Sequence, residues 1–231
     1  MSLLLIVGYG PGNSRSIAHR FGREGWKVAL VGRNTERLGT GVAELGDAGT
    51  EAHAFVGDAS DPASISDTVR EVQARHGPVS AVVFTAYRSV IVGDVLSDDP
   101  DTVGRVFDIG VSGLVSTVQA TLDDLKSQRG AVLVVNGALG LRDDRKDAYA
   151  VSFGGDGVAL ECAAKTKLVG LLAARLRGQG VYAGEIVVDG TVKGTPDAGP
   201  DAIDPGDVAD QVWAMYSSRT EVHTRIGGAQ G

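Results

Sequence analysis

The sequence predicts an α/β fold: a doubly wound parallel sheet of about seven strands, sandwiched between helical layers as a three-layer α/β/α domain spanning residues 1–231. Three observations carry this. Short apolar runs rich in Val, Leu and Ile alternate with amphipathic helical stretches. The runs are continuous in hydrophobicity, as in strands buried on both faces. The first run stops at a glycine-rich turn, Gly8-Tyr9-Gly10-Pro11-Gly12, and a helical pattern begins at once.

The elements follow in order. Leu3-Leu4-Leu5-Ile6-Val7-Gly8 is the first strand, 3–8, and helix 13–25 follows it. Lys27-Val28-Ala29-Leu30-Val31-Gly32 is the second strand, 27–32, before helix 34–48. Strand 52–57 leads to helix 61–76, where Asp61-Pro62 supplies a capping carboxylate and a first-turn proline. Strand 79–85 precedes one long helix, 101–128. Strand 130–136 is followed by an insert, 142–156, whose charged start and glycine-rich end predict a loop. Helix 157–177, strand 181–188, a short lid at 194–205, helix 206–217 and strand 222–227 complete the chain. Right-handed crossovers bring all strand carboxyl ends to one edge, where ligands bind in such sheets. Residues 8–14, Arg33, Asp58, 85–87, 136–141 and 189–195 share that edge.

Composition narrows the function classes. The 231 residues carry a net charge of −7, which disfavours nucleic acid or an anionic membrane as partner. A single cysteine, Cys162, excludes an internal disulfide and fits a cytoplasmic location. No apolar run is long enough to span a bilayer, and residues 3–7 are too short for a signal peptide. The four histidines, His19, His53, His76 and His223, show no ligand spacing and predict no metal site.

A glycine turn between strand and helix is either a plain tight turn or a phosphate site. In the second case backbone N–H groups approach a pyrophosphate and the helix points its positive end at it. Arg33 follows the second strand, where an acidic residue would accept the ribose hydroxyls of NAD. A guanidinium there suits a 2′-phosphate, with Arg15 as a second cation, so NADP(H) is favoured over NAD(H). Asp58, in Val56-Gly57-Asp58-Ala59, either contacts adenine or caps helix 61–76.

These pieces, in this order, resemble the short-chain dehydrogenase/reductase superfamily over nearly the whole chain, which implies a Rossmann-like sheet. Gly8, Gly10 and Gly12 look like its glycine motif in a Gly-Pro-Gly variant, with Ser14 where the third glycine stands. Val56-Gly57-Asp58-Ala59 resembles the adenine-contact motif, and Thr85-Ala86-Tyr87 sits where Asn-Ala-Gly is usual. Val188-Asp189-Gly190-Thr191 resembles the Pro-Gly-x-x-x-Thr stretch that holds the nicotinamide amide. Pro205-Gly206-Asp207-Val208-Ala209 resembles the late helix start. The resemblance implies cofactor contacts at Gly8, Gly10, Gly12, Asn13, Ser14, Arg15, Arg33, Asp58, Ala59, Ala86, Lys165, Gly190, Thr191 and Val192. It also implies a small-molecule substrate and a homodimer or homotetramer built through helices 101–128 and 157–177. Leu168, Leu171, Leu172 and Leu176 form a stripe suited either to that interface or to packing on the sheet.

The family moves a proton with a Tyr-x-x-x-Lys pair on one helix face, aided by a serine and an asparagine. Lys165 matches the lysine, but the tyrosine position is Glu161. The serine position falls in Gly137-Ala138-Leu139, without a hydroxyl, and the asparagine position near Asp108-Ile109-Gly110. The spacing from Ala138 to Glu161 is about ten residues longer than usual in the family. Within the extra piece, Tyr149 or Ser152 either replaces a lost group or packs the loop onto the body. Glu161 is either an acid/base group or the partner of Lys165 in an i,i+4 ion pair. Tyr87 either projects toward substrate or packs as a core aromatic. Cys162 is expected to be a small packed residue.

Three functions remain in contention. The first is an NADP(H)-dependent oxidoreductase acting on a small organic carbonyl, imine or alkene. The second is a non-redox dehydratase, isomerase or cyclase that uses Glu161 as acid or base. The third is a non-catalytic NADP(H)-binding regulator or partner subunit.

Overall fold

Seven apolar segments pair into one parallel sheet in the computed structural model, which describes residues 1–87, 91–195 and 198–228. The strands are β1 (Leu3–Val7), β2 (Lys27–Gly32), β3 (Ala52–Val56), β4 (Ala81–Phe84), β5 (Ala131–Gly137), β6 (Tyr182–Asp189) and β7 (His223–Gly227). Their order is β3-β2-β1-β4-β5-β6-β7, so the winding direction reverses between β1 and β4. A reversal of that kind opens a crevice at the strand carboxyl ends. β1 is buried along its whole length, as its continuous apolar run demands, whereas edge strand β7 alternates exposed and half-buried residues.

Helices cover both faces: α1 (Asn13–Arg23), α2 (Thr35–Asp47), α3 (Pro62–His76), α4 (Pro100–Arg105), α5 (Leu114–Gln128), α6 (Asp144–Ser152), α7 (Asp156–Leu176) and α8 (Pro205–Ser218). Two hydrophobic cores result. Leu5, Val7, Phe84, Val132 and Val169 pack on one face, and Leu4, Ile6, Phe21, Leu30 and Val212 on the other.

Two expectations are corrected. The helix expected over 101–128 is broken: α4 gives way to a π-helical turn at Asp108–Gly113 before α5. Close contact explains the wider turn. A side chain at Gly113 would lie 2.1 Å from the Ala59 carbonyl oxygen, and one at Gly110 would strike Glu161. The insert expected to be a loop holds α6, because Asp143 caps it by accepting the Arg145 N–H at 2.9 Å. The lid at 194–205 is fastened at its base, where Lys193 N–H donates to Ile203 and Ile203 N–H to Thr191. Residues 196 and 197 of that lid lie outside the described residues. No helix among the described residues is long and apolar enough to cross a membrane.

Candidate cofactor and active site

The turn after β1 is shaped by two groups. Gly8 adopts φ +96°, and a Cβ there would lie 2.4 Å from the Ala86 backbone nitrogen, so only glycine fits. Ser14, in place of a third glycine, closes the turn: the Gly10 N–H donates to its hydroxyl at 2.8 Å and the hydroxyl donates back to the Gly10 carbonyl at 2.9 Å. The Thr85 hydroxyl reaches the Gly8 carbonyl at 2.9 Å and ties the turn to the end of β4. Beyond it the structure offers polar groups with nothing to bind. Gly12 brings no side chain to the first turn of α1, whereas Asn34, Asp61, Asp143 and Asp204 cap α2, α3, α6 and α8. Asn13 Oδ1 is buried with no hydrogen-bond partner among the described residues. Uncapped N–H groups beside a buried amide fit an anionic ligand at this turn. Thr195, from the lid, lies 3.9 Å from where a Cβ on Gly12 would stand.

The cations are arranged differently from expectation. Arg15 turns toward α2 and pairs with Glu44 at 2.6 Å. Arg33 is exposed at the end of β2. Arg37, which sequence reasoning missed, brings its guanidinium within 3.9 Å of a Cβ position on Gly10. Its signal was its place one helical turn after Arg33. Asp58 does not cap α3; Asp61 does, through the Ala63 N–H, while Asp58 Oδ1 accepts from the backbone and hydroxyl of Ser60. Ala59 is pressed against the π turn, and Ala86 donates its N–H to Val7. Tyr87 is exposed and is not a core aromatic.

Helix α7 carries the other half. Gly157, Glu161, Lys165, Val169 and Ala173 recur at every fourth position on its buried face. Glu161 is 1% exposed and Lys165 2%. The expected ion pair between them does not form: among the described residues Lys165 makes neither a hydrogen bond nor an ion pair. Glu161 instead occupies the space beside Gly110, where a Cβ would lie 2.2 Å from its Oε1. The turn Ala138–Gly140 packs directly onto α7, with Gly140 against the backbone of Ala163, and it carries no hydroxyl. Cys162 is buried, and that burial pushes its thiol up, against the pull of the Lys165 charge, as expected of a packed residue.

Tyr149 is exposed on α6 with its ring 5.2 Å from Phe153, and the Ser152 hydroxyl donates back to the Tyr149 carbonyl. Among the described residues neither forms a hydrogen bond to Lys165. A cavity of about 350 Å³ opens between α6, α7 and the turn after β5, lined by Leu139, Leu141, Val151 and Leu160 among others.

Two further constructions were not seen from sequence. Asp189, at the end of β6, accepts from Lys146 of α6 and Arg225 of β7. Burial raises its carboxyl, but the two cations outweigh that and hold it below the usual range. Under the sheet, the Asn136 amide donates to the Cys162 carbonyl at 2.9 Å and to Glu185 at 3.1 Å, and Glu185 meets His223 Nδ1 at 2.8 Å. This network holds the turn of α7 that bears Lys165. Gly190 and Val192 lie beside the lid base, where Val192 bridges to Ile203 and Thr191 accepts from Ile203.

A family model for the short chain dehydrogenases matches residues 2–153. Short-chain dehydrogenase/reductase 3 of Bos taurus is 30% identical over 141 residues, 60% of this chain and 46% of that protein. The chain thus spans about half the length or less of the first curated relatives it matches. The inactive 2-(S)-hydroxypropyl-CoM dehydrogenase 2 of Xanthobacter autotrophicus is 30% identical over 177 residues, 75% of this chain and 70% of that protein. An NADPH-bound short chain oxidoreductase of Pseudomonas aeruginosa with an atypical catalytic center superposes with a TM-score of 0.85 at 17% identity. The match covers 100% of this chain and 96% of that one, and at such identity it speaks for the fold alone.

Proposed function

The chain belongs to the short-chain dehydrogenase family, and from that premise we propose that it is an atypical NADP(H)-binding oxidoreductase acting on a small organic carbonyl, imine or alkene. The observation that carries the proposal is Lys165: a lysine only 2% exposed that makes no hydrogen bond or ion pair among the described residues, on the helix face where the family binds the nicotinamide ribose. A lysine whose stem is buried and whose ammonium no side chain engages is free to donate to a ligand.

In this proposal Gly8, Gly10, Gly12, Asn13 and Ser14 form the pyrophosphate turn. Arg33 and Arg37 take the 2′-phosphate, with Arg15 engaged by Glu44 instead. Asp58, Ala59 and Ala86 border the adenine, and Gly190, Thr191 and Val192 the carboxamide. The bound nicotinamide supplies a hydride. Lys165 donates hydrogen bonds to ribose hydroxyls and fixes the register of the ligand against α7. Glu161 is the candidate to hold and release a proton at a carboxyl oxygen, since residues 137–139 provide no hydroxyl. Tyr149 would have to turn inward from α6 to take that role. The cavity beside Leu139 and Leu160 suits an apolar substrate portion. The assembly proposed is a homodimer or homotetramer through α5 and α7, in which Leu171 is exposed while Leu176 packs on the sheet.

Absorbance at the NADPH band tests this against a panel of aldehydes, ketones, imines and activated alkenes. The expected result is oxidation by at least one class, reduced 10²-fold or more by Glu161→Gln, the scale of a lost general acid. Tight NADPH binding without turnover on the whole panel would overturn the oxidoreductase. It would favour a non-catalytic NADP(H)-binding subunit, the reading that the missing hydroxyls support.

A further inference from the structure

At the amino end of β3, remote from the strand carboxyl ends that bear the cofactor turn, three ligand-type side chains meet. Glu51 directly precedes β3, and His53, two residues on, projects to the same side of the strand. His76 is the last residue of α3, packed across the strand. Glu51 Oε1 and His53 Nε2 are 3.2 Å apart. The rings of His53 and His76 stack with centroids 3.8 Å apart, and Phe55 meets His76 edge-on at 5.7 Å. One ligand atom from each of Glu51, His53 and His76 lies within 4.8 Å of the others. Their scatter in sequence hid this proximity, which depends on β3 and α3 packing together.

We propose that Glu51, His53 and His76 form a binding site for a divalent transition metal ion, zinc in the first instance. The donor set of two imidazoles and one carboxylate suits a borderline ion such as zinc, and three protein ligands leave a fourth position for water. Ligand atoms sharing a tetrahedral zinc lie about 3.4 Å apart, and the two stacked imidazoles must turn out of their face-to-face arrangement to aim both lone pairs at one ion. A bound ion would staple the edge strand β3 to α3. Lys27, whose ammonium lies 2.8 Å from Glu51 Oε1, is the built-in competitor. The site is independent of the NADP(H) reading.

The test uses the full chain, stripped with EDTA and titrated calorimetrically with zinc chloride, with elemental analysis for stoichiometry. One zinc per chain is expected. His53→Ala and His76→Ala should each weaken binding at least tenfold, and His223→Ala should leave it unchanged. Lys27→Gln should tighten it several-fold, a gain that no folding defect can imitate. Cobalt bound to the wild type should show the intense visible bands of a tetrahedral site. A His53→Ala/His76→Ala double variant that binds zinc like the wild type, or a wild type that fails to bind at millimolar zinc, overturns the site.

Discussion

Gly110 has no side chain because Glu161 stands where one would go. Both residues were legible in the sequence as separate departures from the family pattern, one in a helix expected at 101–128 and one in the helix of Lys165. Their coupling was not legible, because it depends on a π turn that bends the first helix against the second, and hydrophobic periodicity carries no signal for a single widened turn. The contact predicts a non-additive pair. Gly110→Ala forces a side chain into the buried carboxylate and should cost about 1–3 kcal/mol, the range for overpacking. In the Glu161→Ala background the same change should cost much less, because the obstructing atoms are gone. Urea titrations of the four proteins measure the coupling. Equal costs in both backgrounds would mean that the two side chains do not share the space. Asn13 and Lys165 are the opposite kind of residue, side chains whose Oδ1 and ammonium find no hydrogen-bond partner among the described residues, and the sequence marked both through the resemblance.

Among the elements, α6 departs furthest from expectation. Its sequence, Asp144 to Ser152, has no strong apolar stripe, and only Ala150 is buried, so periodicity favoured a loop. What secures it lies elsewhere in the chain. Lys146 reaches Asp189, which Arg225 also holds, so three elements meet at one carboxylate. Such a long-range clamp leaves no local trace in the sequence. Because the folded carboxyl lies below its unfolded range, the clamp contributes fully above about pH 4, the ordinary carboxylate value. That contribution is lost as the pH falls further and the folded group takes up its proton. Asp189→Asn should therefore speed amide hydrogen exchange across residues 144–152 at pH 7 by roughly tenfold or more, with strand β1 unaffected. Unchanged exchange in α6 would assign its order to the packing of Ala150 alone. The network below the sheet is similar in kind. Glu185→Ala removes a buried acceptor shared by Asn136, Thr166 and His223 and should destabilise the fold by about 1–3 kcal/mol, read from the urea midpoint.

For the whole molecule, the parallel sheet of seven strands and the edge that gathers the site were readable from strand–helix alternation, because continuous burial leaves a strong apolar signal, whereas the strand order came from the structure. Which cation faces the ligand was not, since it depends on side-chain pairing. The resulting prediction concerns stability. A ligand that binds only the folded chain adds about 2.7 kcal/mol at a concentration 100-fold above its dissociation constant. For a domain of this size that raises the melting temperature by roughly 5–11 °C. NADPH at saturation should produce such a shift, and NADH at the same concentration a smaller one, because only NADPH carries the 2′-phosphate. Arg33→Ala should bring the NADPH shift down toward the NADH value, and Arg37→Ala should do so in part. Arg15→Ala should leave the difference intact, since Glu44 already holds that guanidinium at 2.6 Å. Differential scanning fluorimetry of these variants separates the roles. Equal shifts from both nucleotides would remove the preference for NADP(H), and loss of the difference in Arg15→Ala would return Arg15 to the phosphate site.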